Sequence, residues 1–131
     1  MPKNVEVIFR TKAGVSGAWA CRIVEKVLKA EKKHKGINIL ITTDREIRKI
    51  NKRFLKHDFA TDVVSFSTGD MVVSADTARR YAREHGIPFR EELARYLVHG
   101  TLHLLGYDDR KRKDYVRMHR RQEEIIASLR A

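Results

Sequence analysis

Leu93-Ala94-Arg95-Tyr96-Leu97-Val98-His99-Gly100-Thr101-Leu102-His103-Leu104-Leu105-Gly106-Tyr107-Asp108-Asp109 decides how the rest of the chain is read. His99 and His103 stand one helical turn apart, so an α-helix here stacks both imidazoles on one face, where together they can grip a single transition-metal ion. Gly106 predicts the helix exit, because glycine reaches the left-handed backbone that ends a helix and turns the chain back. Asp109 follows that turn. Two nitrogens from a rigid helix and one oxygen from the returning loop make three protein ligands, which leaves a coordination position open, as a catalytic zinc requires. The same spacing also suits ordinary packed histidines. Leu97, Val98, Leu102, Leu104 and Leu105 make this helix largely buried, and a buried imidazole needs a polar partner.

Toward the N-terminus from this segment, Pro88 predicts the first position of the metal helix, with Glu91 and Glu92 in the opening turn where the helix dipole favours negative charge. Ser74 caps a preceding helix, Ala75 to about His85, which Gly86 ends. The run Val63-Val64-Ser65-Phe66, the turn Thr68-Gly69-Asp70 and the run Met71-Val72-Val73 read as an antiparallel hairpin. Ile37 to Thr42 is β-branched and apolar enough for an interior strand. Thr43 and Glu46 form a capping box for a helix through Ile47, Ile50, Asn51 and Phe54, and this helix between two strands suggests a βαβ crossover. Ser16 caps a helix running to about Lys33, with Ala20, Ile23, Val24, Val27 and Leu28 inward. Trp19 reads as a core edge rather than a base-stacking ring, and Val5, Val7 and Phe9 alternate with Glu6, Ile8 and Arg10 as the first strand.

Toward the C-terminus, the last helix is very basic at Arg110-Lys111-Arg112-Lys113 and carries Tyr115, Met118, Gln122, Ile125 and Leu129 at spacings that fold one face onto the body. The expected fold is therefore α+β: a single domain over residues 1–131, with a small mixed sheet of about four strands covered by about five helices. The order is β-α-β-α-β-β-α-α-α, with the metal site on the central buried helix. His34, His57, His85 and His119 default to surface roles, His57 being the one whose loop can approach the site.

A formal net charge of +11, from 28 Lys and Arg against 17 Asp and Glu, favours a polyanionic partner, most simply nucleic acid. No helix pairs a basic face with the bulky apolar face that a membrane surface requires, and the N-terminus lacks the apolar run of a signal peptide. The lone Cys21 can form no internal disulfide, and a reducing cytoplasm follows.

His99-Gly100-Thr101-Leu102-His103-Leu104-Leu105-Gly106-Tyr107-Asp108-Asp109 resembles the signature of the bacterial YbeY family. A second block, Asn51 to Ser67 with Phe54, Asp58, Thr61, Asp62 and Ser65, resembles that family's other signature, and Gly69-Asp70-Met71-Val72-Val73-Ser74 follows in place. The likeness runs from roughly Asn38 through the terminal helix. It implies a zinc-dependent, single-strand-specific endoribonuclease that matures the 3′ end of small-subunit ribosomal RNA and acts in ribosome biogenesis and quality control. Two departures stand out. Asp109 replaces a third histidine, which exchanges a nitrogen ligand for a carboxylate that zinc also accepts. Leu55 replaces an arginine found in many relatives, and no role passes to Arg53 or Lys56.

Zincin proteases carry a glutamate after the first histidine as general base, and here that position is Gly100, which argues against peptide hydrolysis by that route. Phosphodiester hydrolysis stays open. The expected metal ligands are His99, His103 and Asp109 around one Zn²⁺, or another divalent transition metal. His99, Asp62 and Asp108 are the candidate catalytic residues. Asp62 or Asp108 can orient water; Asp108 can equally steady a ligating imidazole or cap the last helix. Single-stranded RNA would be held at the mouth by phosphate contacts, with ribosomal RNA and the small ribosomal subunit as expected partners. Two alternatives remain: an RNA-binding assembly factor whose metal is structural, and a metal-dependent hydrolase of another substrate class.

Overall fold

A computed structural model describes residues 4–55 and 62–130, with the side chain of Leu55 excepted. Lys56, His57, Asp58 and Thr61, all noted from the sequence, lie outside the described residues. In order come β1 (Val5–Phe9), α1 (Gly17–Ala30), β2 (Ile37–Thr42), α2 (Asp44–Ile50), β3 (Val63–Ser65), β4 (Asp70–Ser74), α3 (Ala75–His85), α4 (Phe89–Leu104) and α5 (Arg112–Leu129). The element order is the one expected from periodicity. α2 runs on into a π-helical turn over Asn51–Leu55.

The sheet has the order β1-β2-β4-β3. β1 pairs parallel to β2, β2 parallel to β4, and β3 antiparallel to β4. This corrects the expected crossover around α2: the parallel unit is β1-α1-β2, and α2 leads instead to the antiparallel edge strand. Only the order of the strands in the sheet could reveal this, because a hairpin strand and a crossover strand carry the same apolar pattern.

Period-2 alternation divides the sheet's two faces. Val5, Ile37, Ile39, Ile41, Met71 and Val73 enter the main core with α1, α4 and α5, while Val64 and Val72 join Ile47 of α2 on the other face, with Leu40 and Phe66 beside them. Ile8, on the outer side of β1, is 64% exposed. α4 crosses the middle of the main core, and Leu93, Leu97 and Leu102 are completely buried, each such side chain contributing about 1.5–3 kcal/mol of burial. Pro88 takes the cap position and Phe89 opens the helix, one residue later than expected.

Gly100 explains how α4 can lie so close to the sheet. A Cβ there would stand 2.7 Å from Met71 Sδ and 3.0 Å from Val63 Cγ2, so no larger residue fits without displacing core atoms. Ser65 of β3 tightens the same contact by donating its hydroxyl to the Gly100 carbonyl at 3.1 Å. A side chain at this position would therefore face packed sheet and not the site.

Candidate metal centre

α4 ends at Leu104, and Gly106 adopts φ 102, a backbone that only glycine takes without strain. The Tyr107 amide returns to the Leu102 carbonyl at 3.0 Å. This reversal carries Asp109 back against the last turn of α4. Asp109 Oδ2 lies 3.3 Å from His103 Nε2 and 3.7 Å from His99 Nε2, and the three ligand atoms fall within 4.8 Å of one another. Tetrahedral ligands on a zinc-sized ion stand roughly 3.3 Å apart, so the spacing suits one ion.

The remaining ring nitrogens show which tautomer each imidazole holds. His103 Nδ1 donates to the Tyr107 carbonyl at 3.0 Å, and His99 Nδ1 to Gln122 Oε1 at 2.9 Å. A carbonyl can only accept, so His103 carries a proton on Nδ1, and its Nε2, 3.3 Å from Asp109 Oδ2, is the nitrogen left to face a metal. For His99 the same conclusion depends on the orientation of the Gln122 amide. Its Nε2 donates to Glu123 Oε2 at 3.0 Å, which leaves the oxygen for the imidazole. Arg95 in turn grips Glu123 through Nε and Nη2 at 3.0–3.2 Å and Glu91 through Nη1 at 2.9 Å. The donor set N, N, O with both far nitrogens anchored is what a resident metal requires.

His99 and Asp109 open onto a cleft of about 870 Å³ between α3, α4 and α5, which Asp62 also lines. His103 borders a separate cavity of about 570 Å³ with Lys35, Val63, Ser65 and Phe66. The three side chains that could hold a metal thus border both cavities. Asp62 uses Oδ1 to accept from the Val63 amide at 2.7 Å.

The structure does not bring Asp108 to this group. Its carboxylate accepts from the Arg110 backbone amide at 3.0 Å and the Arg110 guanidinium at 2.8–3.2 Å, which pull its pKa down to about 2. It lines a third cavity with Glu31 and Lys33. Nor does it cap α5, whose N-cap is Lys111 without a side-chain bond. An aspartate followed by a turn and an arginine satisfies its own neighbours first.

The cleft's charge also differs from the expectation of phosphate contacts at the mouth. Its lining includes Asp62, Glu91, Glu92, Asp109 and Glu123 against Arg80 and Arg95. Glu92 is 5% exposed, and burial holds its carboxyl above the usual range. The exposed cations Arg110, Lys111, Arg112 and Lys113 follow Asp109 outside the cleft.

Sequence reasoning missed several residues of this site. Gln122 was assigned only to the inward stripe of α5; a polar residue among Met118, Ile125 and Ile126 was the available signal. His85 and His119 are exposed, as expected, and line the cleft, and Tyr115, expected inward, is 51% exposed on the cleft wall.

A family described as endoribonuclease YbeY matches residues 9–130. The endoribonuclease YbeY of Syntrophotalea carbinolica is 41% identical over 109 residues, covering 72% of this chain and 73% of that protein. Its namesake in Aquifex aeolicus is 42% identical over 102 residues, with 70% and 68% covered. The Myxococcus xanthus protein of the same name is 40% identical over 103 residues, and there the match takes in 69% of this chain but 35% of the relative. A solution structure from Thermotoga maritima superposes with a TM-score of 0.70 over 96% of this chain and 91% of that one; at 24% identity it speaks for the fold alone. The resemblance first carried by the histidine helix thus extends over nearly the whole sequence, and the chain belongs to the endoribonuclease YbeY family.

Proposed function

We propose that this protein is a zinc-dependent endoribonuclease that cleaves single-stranded RNA in the maturation of the 3′ end of small-subunit ribosomal RNA, serving ribosome biogenesis and quality control in the cytoplasm. The observation that carries the reading is the approach of both histidine Nε2 atoms to one Asp109 oxygen, with His99 and Asp109 on an open cleft. Among the described residues no helix is long and apolar enough to cross a membrane.

His99, His103 and Asp109 would hold the ion. When bound, it supplies Lewis-acid polarisation of the phosphodiester and activation of water. The chain's own groups do the rest. Gln122 and the Tyr107 carbonyl accept from the two Nδ1 atoms and so aim both Nε2 atoms at the ion, and Asp62, on the cleft wall, orients the attacking water. Asp108 has no part in this step, because Arg110 occupies its carboxylate. The exposed Lys111, Arg112 and Lys113 would hold the flanking phosphates just outside the acidic cleft. The structural-metal alternative, with the protein acting as an RNA-binding assembly factor on the small ribosomal subunit, is less well supported, because two of the three ligands border a cleft large enough for substrate.

Elemental analysis should find about one zinc per chain. Zinc-loaded protein should cleave single-stranded RNA, and His99→Ala should lose both metal and cleavage. Equal cleavage by the two proteins would trace the activity to a contaminant, and full metal content without cleavage would favour the assembly factor.

A further inference from the structure

The cleft beside His99 and Asp109 has walls that are poor at holding a phosphate backbone. Five carboxylates face two guanidiniums, and both guanidiniums are already engaged. Arg80 pairs with Asp44 at 2.6 Å, and Arg95 with Glu91 at 2.9 Å and Glu123 at 3.0 Å. Within the cleft, charge alone would push a nucleic-acid strand away from everything but the metal ligands.

What these walls do offer is aromatic surface. Tyr81 on α3 is 42% exposed and Tyr115 on α5 is 51% exposed, and both line the cleft. Each has a histidine one helical turn further on that stacks against it. The Tyr81 and His85 rings lie 3.8 Å apart at 13°, and the Tyr115 and His119 rings 5.8 Å apart at 15°. His85 Nδ1 is tied to the Tyr81 carbonyl at 3.0 Å, which fixes that pair. A ring already held in place by a stacked neighbour loses little freedom when a second flat group settles on its outer side.

We propose that Tyr81 with His85 and Tyr115 with His119 are two base-stacking platforms on the α3 and α5 walls, which take unpaired nucleobases of the strand presented to His99, His103 and Asp109. This rests on the RNA reading of the site. It gives single-strand selectivity a physical source: nucleobases in a duplex are already stacked on one another and have no free face for a tyrosine, whereas those of a single strand can be splayed onto one. Stacking also tolerates any base. The acidic walls then act in the same direction, since they keep the backbone outward while the bases point in.

The test uses the zinc-loaded protein, a fluorescently labelled single-stranded RNA and a ribose-phosphate oligomer of the same length without bases, with binding read by anisotropy over a range of salt. Tyr81→Ala and Tyr115→Ala should each weaken RNA binding about tenfold and raise KM in step. Metal content and the slope of affinity against salt should stay as in the unaltered protein. Tyr81→Phe and Tyr115→Phe should bind like the parent, because the ring face and not the hydroxyl does the holding. The base-free oligomer should bind weakly and equally to all variants. Alanine variants that bind RNA as tightly as the parent, or that lose the base-free oligomer equally, would overturn the platforms while leaving the nuclease reading intact. A parent protein that neither binds nor cleaves RNA would overturn both.

Discussion

His99 and His103 lie one turn apart on the same helix and aim at the same carboxylate, yet they are held in different ways. His103 is fixed by its own stretch of chain: the Gly106 reversal brings the Tyr107 carbonyl under Nδ1, four residues away. His99 is fixed from a different helix, by Gln122, which sits 23 residues further along and is itself oriented by Glu123 and Arg95. One histidine is thus positioned by local backbone geometry and the other by tertiary packing of α5 on α4. The first forms whenever the turn forms. The second requires α5 to be docked in register.

The most damaging change should be to the group the two histidines share. Asp109→Ala removes the oxygen both imidazoles face and should weaken zinc binding by about a hundredfold or more, whereas Asp108→Ala should keep the metal. Competition with a chromophoric chelator measures both, and the opposite ranking would move the third ligand by one residue.

A smaller change should separate the two histidines from each other. Gln122→Leu should cost about 10- to 100-fold in zinc affinity, with the His99 imidazole losing its single tautomer in nitrogen NMR and His103 keeping its own. Tyr107→Phe should leave both tautomers alone, because His103 uses the main-chain carbonyl. Its cost should be about 1 kcal/mol of stability, from losing the hydroxyl's 2.6 Å bond to Glu31. A Gln122 variant with unaltered zinc affinity would show that α5 only covers the site.

The smallest effect concerns the outer end of the clamp. Hydrogen bonds from Arg95 and then Arg130 hold the Glu91 carboxyl below its ordinary pKa of 4.5. A depressed carboxylate contributes stability that is complete above the unfolded value and is lost as pH falls through the folded one. Glu91→Gln should therefore lower stability by about 0.5 kcal/mol at neutral pH, and the difference should shrink as the pH drops below about 4.5. Thermal melts across that range provide the check, and a constant difference would mean that the pair does not stabilise the folded state.

Legibility in the sequence follows the same division between local and tertiary. The gathering of His99, His103 and Asp109, the helix exit and the β3–β4 hairpin were readable because each depends on spacing or turn chemistry within about a dozen residues. The pairing of β2 with β4 was not, since no residue in either strand names its neighbour. The engagement of Asp108 was not legible either, because two adjacent aspartates look alike until Arg110 claims one of them. That the exposed His85, His119 and Tyr115 share one cleft was not legible, because it depends on α3 and α5 forming walls beside α4.

By itself the sequence determined a helix with two histidines on one face, a glycine that turns the chain, and an acid that meets them, because those features depend only on helical pitch and backbone freedom. The tertiary structure decided that the site is open to a cleft, that this cleft is acidic and aromatic while the chain is basic, and that Gln122 fixes His99. Each of these depends on which faces of separate helices end up opposite one another. Such pairings are set by the packing of the whole core, and no local pattern records them.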